Sequence, residues 1–235
     1  MKKLKINSKR AKNAEILLWI CAGLYVISLI SNLMEFFLLS EVQKGVYITK
    51  EQFQADTMRQ VIVSLLQFVA LIISAFTFIL WFRRAYFNQE VKFEYMYSKN
   101  VWTGISFLIP LYNLFKPFQL MKELHQNIEE YFVKNGLGET NHFFRKRIFL
   151  WWFMWIFLNS AQYVSNIILL KSLFPERLMK ISISFTLIDL FFIILCYLTI
   201  KMIRNYNQLE LLILENSDNV ENKTDKYGDL LDSHF

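Results

Sequence analysis

Glycine, proline, cysteine and histidine are all scarce in this 235-residue chain (six, three, two and three), and each scarcity excludes something. With so little glycine there is no phosphate-cradling loop: no P-loop, no dinucleotide-binding glycine pattern, and neither GxSxG nor HExxH occurs. Cys21 and Cys196 lie far apart inside apolar runs with no CxxC, so they read as small buried hydrophobes rather than a disulfide or metal pair. His125, His142 and His234 are scattered. His125 and Glu129 form an i, i+4 pair, but two ligands do not make a metal site, and the pair reads as a solvated helix face. Neither a metal nor a cofactor nor an enzymatic activity is expected.

What the chain has is apolar bulk. It is 54% hydrophobic and 17% aromatic with mean hydropathy +0.28, against about 45–50% apolar in an ordinary soluble domain. The excess is gathered into uninterrupted runs, which marks an integral membrane protein. The net charge of +6 would suggest nucleic acid in a soluble chain. Here the basic residues flank the apolar runs, so membrane topology and anionic lipid headgroups account for them, and no nucleic-acid partner is expected.

Four spans are predicted, at about 14–40, 60–82, 148–170 and 181–200, each near or above the ~20 residues needed to cross the hydrocarbon core. The basic start (1–13) precedes a run too long for a signal-peptide h-region, and no small-x-small cleavage site closes that run. Lys and Arg concentrate in the amino terminus, in the segment from Arg83 to Arg147 and after Lys201. The positive-inside bias then puts both termini in the cytoplasm of a bacterial inner membrane. Trp151, Trp152 and Trp155 behind Arg145-Lys146-Arg147 form an interfacial anchor pattern. The tail, 205–235, begins as a continuation of the last helix and is predicted to lose order from Ser217.

One stretch fits no ordinary category. From Trp102 to Leu124 the chain is greasy, yet Pro110 and Pro117 interrupt it and Lys116 places a charge between them. Broken backbone at membrane depth must be satisfied by protein or water, so the stretch is either re-entrant or interfacial; Lys116 and the amphipathic continuation favour the interface. That continuation has Phe118, Leu120, Met121, Leu124, Ile128, Tyr131 and Phe132 on one helical face and ends at Gly136-Leu-Gly138.

Trp81-Phe-Arg-Arg-Ala-Tyr-Phe-Asn88, then Trp102, then Phe107-Leu-Ile-Pro-Leu-Tyr-Asn-Leu-Phe-Lys-Pro117 and the helix through Met121 and Glu123, resemble the DUF4328 family of bacterial multi-span membrane proteins. The Pro-x-x-Asn-Leu-x-x-Pro core carries most of the resemblance, which covers roughly residues 60 to 200. It implies a membrane location and supplies no activity. The fold class expected is all-α: a four-span bundle with a Pro-broken segment and an amphipathic helix between spans two and three.

Two groups of candidate site residues emerge. Each span carries one polar stripe at helical spacing: Ser28, Ser31, Asn32 and Glu35; Gln60, Ser64, Gln67 and Ser74; Asn159, Gln162 and Asn166; Ser182, Thr186, Asp189 and Cys196. Turned inward, they gather Glu35, Gln67, Gln162, Asn166 and Asp189 in the outer half of the membrane. This cluster is either interhelical glue or a cavity for a cation, proton or polar solute, with the carboxylates as titrating groups. The second group is basic and cytoplasmic: Arg83, Arg84, Arg145, Lys146 and Arg147, with Asn88 and Asn113, near the broken stretch. It is either flanking charge or a pocket for an anionic headgroup or phosphorylated ligand. Asn113 caps freed backbone or faces a ligand. The expected function is a non-enzymatic scaffold or sensor using this face, alone as a homo-oligomer or with a partner membrane protein. The alternative is a small transporter or channel using Glu35 and Asp189.

Overall fold

A computed structural model describes residues 4–93, 114–136, 143–171 and 174–232, with side chains of the carboxy-terminal helix up to Glu215 and of the preceding helix from Arg147. Trp102, Pro110 and Asn113 lie outside the described residues, as do the side chains of Arg145 and Lys146. Among the described residues five helices follow one another: α1 (Ser8–Gln43), α2 (Lys50–Lys92), α3 (Lys116–Lys134), α4 (Phe143–Leu170) and α5 (Pro175–Asp232). Four of them, α1, α2, α4 and α5, are long and apolar enough to cross a membrane, and no strand occurs among the described residues. The protein is an all-helical, multi-span membrane protein.

α1 and α2 outrun their apolar runs toward each other because the facing ends are capped. Gly45 takes φ +83° and closes α1: its N–H donates to the Val42 carbonyl (3.0 Å) and that of Val46 to Glu41 (3.1 Å), the reciprocal pair of a Schellman motif. Only a residue without Cβ holds that backbone cheaply. Thr49 then starts α2 with a capping box: its hydroxyl accepts from Gln52 N–H (3.2 Å), and the Gln52 side chain accepts from Thr49 N–H (2.9 Å). The stretch Glu41–Arg59, polar and of mixed charge, is therefore mostly helix with a short turn. At the other end of the chain, the α5 backbone is helical to Asp232, through the part where the sequence pattern predicts loss of order.

The most apolar windows of α1 and α5 are the most buried, 33% and 39%, against 17% in α2 and 11% in α4. α1 and α5 form the central pair, with α2 against α1 and α4 against α5. The outward faces of α2 and α4 present Leu65, Phe68, Ile72, Phe153 and Phe157, the surface that lipid covers. Both helical hairpins lie at one end of the bundle, the hairpin end; α3 and the start of α1 lie at the other, the basic end.

α3 begins at Lys116 with Pro117 in its first turn, where the missing N–H is harmless and the fixed φ suits a helix. Leu120, Met121, Leu124, Ile128 and Phe132 are buried on the predicted face, and Gly136 closes the helix at φ +65°. At about 1.5–3 kcal/mol for each large side chain, that face supplies on the order of 10 kcal/mol of docking. Two expectations change here. His125 is not solvated: it is buried among the apolar face, its ring 5.8 Å from that of Tyr206. Trp151 and Trp152 do not anchor at the lipid surface: both are buried, with indole N–H groups donating to Thr199 Oγ1 (2.9 Å) and the Leu114 carbonyl (3.1 Å). An indole donor deep in a bundle needs an internal partner, and α5 and the Leu114 carbonyl just before α3 supply it.

Candidate functional site

The polar stripes converge. Glu35, Gln67, Gln162, Asn166 and Asp189, one or two from each span, line a single cavity of about 450 Å³ in the hairpin half of the bundle. Its size lies within the ~300–1,000 Å³ usual for small-molecule sites. The lining holds two carboxylates and no basic residue.

Each carboxylate is held by amide or hydroxyl donors. Asp189 is buried and accepts from Asn32 Nδ2 at 2.9 Å, with Ser28 and Gln67 facing the same group. Glu35 Oε2 accepts from Ser182 Oγ (2.8 Å) and Gln60 Nε2 (3.2 Å). These bonds join α1 to α5 and α2, so part of the cluster is structural glue, at roughly 0.6 kcal/mol per contact in a membrane bundle. Glue does not account for all of it. Gln67 Nε2 is buried beside Asp189 and adds to that carboxylate's donors. Ser64, Asn159 and Asn166 are exposed although they belong to apolar helices. They mark an opening between α2 and α4.

The sequence reading missed a polar junction beside the Glu35 end of this cavity. Asp56 and Arg59 form an ion pair, and Arg59 also donates through Nε to Ser31 Oγ (3.0 Å) and through a terminal nitrogen to the Ser31 carbonyl (3.2 Å). Asp56 precedes Gln60 by four residues, so it continues the α2 stripe. The signal was the Thr49-x-x-Gln52 box, which announces a helix before Arg59. Tyr25, stacked on Phe192 at 4.8 Å and 3°, floors the cavity and was also missed, because an aromatic within an apolar run carries no periodic signal.

The basic group divides. Arg83 and Arg84 meet Lys5 and Arg10 around a recess of about 260 Å³ at the basic end, with Leu80 and Phe87 completing the wall. Arg10 is steered there by its bond to the Leu80 carbonyl (3.0 Å). Arg147 is exposed and does not line this recess. Asn88 is buried beneath it: its Oδ1 accepts from Lys5 N–H (3.0 Å), and its Nδ2 donates to the Lys5 carbonyl (2.7 Å) and Glu210 Oε1 (2.6 Å). That amide is fully used in pinning the amino-terminal segment to α2 and α5. Nearby, Gln89 Nε2 donates to the Leu124 carbonyl (2.6 Å) and Tyr206 Oη (3.0 Å), and its Oε1 accepts from Asn127 (3.2 Å), tying α3 to α2 and α5. His125 sits in the same layer with its Nδ1–H donating to the Met121 carbonyl (2.9 Å). Burial pushes its pKa down to about 4, so its imidazole is neutral at pH 7.

Residues 45–208 match the family described as a domain of unknown function (DUF4328). The chain belongs to the DUF4328 family. No curated protein and no solved structure matches it. The DUF4328 segment takes in α2, α3, α4 and the membrane part of α5, and with them Gln67, Gln162, Asn166 and Asp189. The α1 contribution (Tyr25, Ser28, Asn32 and Glu35) lies before it.

Proposed function

We propose that this DUF4328 protein binds a small cation or polar solute within the membrane, as a carrier or sensor rather than an enzyme. The observation that carries the reading is the cavity itself: two carboxylates held by amide and hydroxyl donors, and no basic residue among the described residues of its lining. In a low-dielectric setting Asp189, with no basic residue against it in the lining, attracts a cation strongly, while Arg59 partly offsets Glu35. Charge asymmetry supports an orientation with both termini in the cytoplasm of a bacterial inner membrane, so the cavity faces the outer leaflet. In proteoliposomes loaded with a pH- or potential-sensitive dye, wild type is expected to pass or bind a monovalent cation or ethylammonium. Glu35→Gln and Asp189→Asn should each lower the apparent affinity at least about tenfold, or 1.4 kcal/mol. Wild-type protein of intact helicity with neither flux nor saturable binding would refute this.

The basic recess supports a second reading, the scaffold or sensor that contacts anionic lipid or a partner through its cytoplasmic face. Four cations around one recess suit a phosphate-bearing headgroup, and each is worth about 1 kcal/mol near an anionic surface. Retention of phosphatidylglycerol over phosphatidylcholine, read by native mass spectrometry, is expected to fall about fivefold in Arg83→Gln and again in Arg84→Gln. An unchanged preference leaves these arginines as flanking charge only.

A further inference from the structure

A second cavity, of about 260 Å³, lies in the same α2–α4 seam toward the basic end. Its walls are apolar and aromatic: Phe78 on α2, Trp151, Trp152 and Trp155 on α4, Leu18 on α1 and Leu195 on α5. Both cavities share one residue from each of the four spans, namely Tyr25, Leu71, Asn159 and Phe192. A common wall residue on every helix means the two volumes abut at one level, at the stacked Tyr25 and Phe192 rings. From Glu35 to Leu18 on α1, or Gln60 to Ile79 on α2, the combined lining covers roughly 25–28 Å at about 1.5 Å per residue. That is close to the ~30 Å hydrocarbon thickness.

The chemistry changes sharply at the junction. On the basic-end side, polar groups are already occupied: the Trp151 indole N–H donates to Thr199, whose hydroxyl donates to the Leu195 carbonyl (2.7 Å), and the Trp152 N–H donates to Leu114. On the hairpin side, Glu35 and Asp189 meet only hydroxyl and amide donors among the described lining residues, with Arg59 acting on Glu35 from outside it. One compartment wants donors or positive charge; the other wants hydrocarbon. The seam opens sideways between the two least buried spans, so an occupant can enter from the bilayer.

We propose that the seam holds one amphiphile. Its hydroxyl- or ammonium-bearing head lies among Glu35, Gln67 and Asp189, and its hydrocarbon tail passes Tyr25 and Phe192 into the tryptophan compartment. This deepens the solute-binding reading above and rests on its cavity. An anionic head is disfavoured by the two carboxylates, and a bare ion would leave the tryptophan compartment without a role.

The full chain in neutral phosphatidylcholine nanodiscs is titrated with dodecylammonium brominated near its terminal methyl, and tryptophan quenching is followed. Saturable quenching is expected, at least about tenfold weaker with brominated dodecanoate and about tenfold weaker in Asp189→Asn and in Ala75→Phe, which fills the tail compartment. Across unbrominated alkylammonium competitors on wild type, affinity should rise with length until the tail spans the ~10–12 Å from Leu71 to Ile79 and then level off. This series needs no substitution. Quenching that never saturates, or equal affinity for dodecanoate, overturns the proposal. If ethylammonium competes as well as dodecylammonium and Ala75→Phe changes nothing, the tail site falls while the polar cavity stands. If Glu35→Gln and Asp189→Asn also leave binding unchanged, the cavity reading falls with it.

Discussion

Asn88→Ala is expected to destabilise the bundle by about 3–5 kcal/mol, the largest effect of any single substitution considered. Asn88 is buried and makes three hydrogen bonds that join the amino-terminal segment, α2 and α5. A net hydrogen bond is worth about 1 kcal/mol, but a buried group left without its partner costs about 1–3 kcal/mol, more if it is charged. Alanine would strand the buried Glu210 Oε1 and give up both bonds to the partly exposed Lys5 backbone. Glu210→Gln keeps an acceptor for Asn88 and should be nearly neutral. The double substitution Asn88→Ala with Glu210→Leu removes the stranded carboxylate and should recover a good part of the loss. Reversible unfolding in bicelles by dodecyl sulfate, with tryptophan fluorescence as the signal, measures all three. A loss below 1 kcal/mol for Asn88→Ala, or no recovery in the double variant, would show that this junction is not what holds the basic end together.

Acidification should loosen α3 next. The His125 pKa lies at about 4, below the ordinary 6.5, because its ring is buried between α3 and α5; the bond to the Met121 carbonyl opposes that shift but is the weaker influence. Where α3 is detached, the imidazole takes up a proton near pH 6.5; docked, it resists until about pH 4. The detached state therefore binds more protons between these values, and stability falls as pH falls through that window. Docking is at full strength above pH 6.5 and loses up to about 3 kcal/mol by pH 4, at 1.36 kcal/mol per pH unit. His125→Phe removes the titration while keeping an aromatic against Tyr206, and its stability should vary less with pH over that range. Protease cleavage within α3, compared between pH 4.5 and 7.5 for both proteins, reads the difference. Identical pH profiles would sink the assignment.

The stripes were legible because a span has few ways to hide a polar side chain. In lipid, Glu35, Gln67, Gln162 and Asp189 must turn toward other helices, so periodicity shows which face points inward, with Asn166 of the same stripe left at the exposed opening. The amphipathic α3 was legible for the same reason, as was its glycine stop. The basic-end junction was not. Asn88, Gln89, His125, Asn127 and Glu210 lie in segments of ordinary polar composition, and their partners are 35 to 122 residues away in sequence or on another helix. No local pattern marks a side chain buried by the docking of a distant helix. The grouping of Arg83 and Arg84 with Lys5 and Arg10 depended likewise on how the amino-terminal segment folds back.

By itself the sequence determined the four spans, their inward faces, the amphipathic third helix and the family motif, because lipid forbids exposed polar stripes and leaves a 3.6-residue period as the only solution. Only the tertiary structure decided that those faces enclose a cavity rather than close on themselves. It also decided that a tryptophan-lined volume abuts the cavity, and that Asn88 and His125 are buried supports. Those outcomes depend on the spacing between helices, which is set by side chains that meet across the bundle and leave no periodic trace in any one helix.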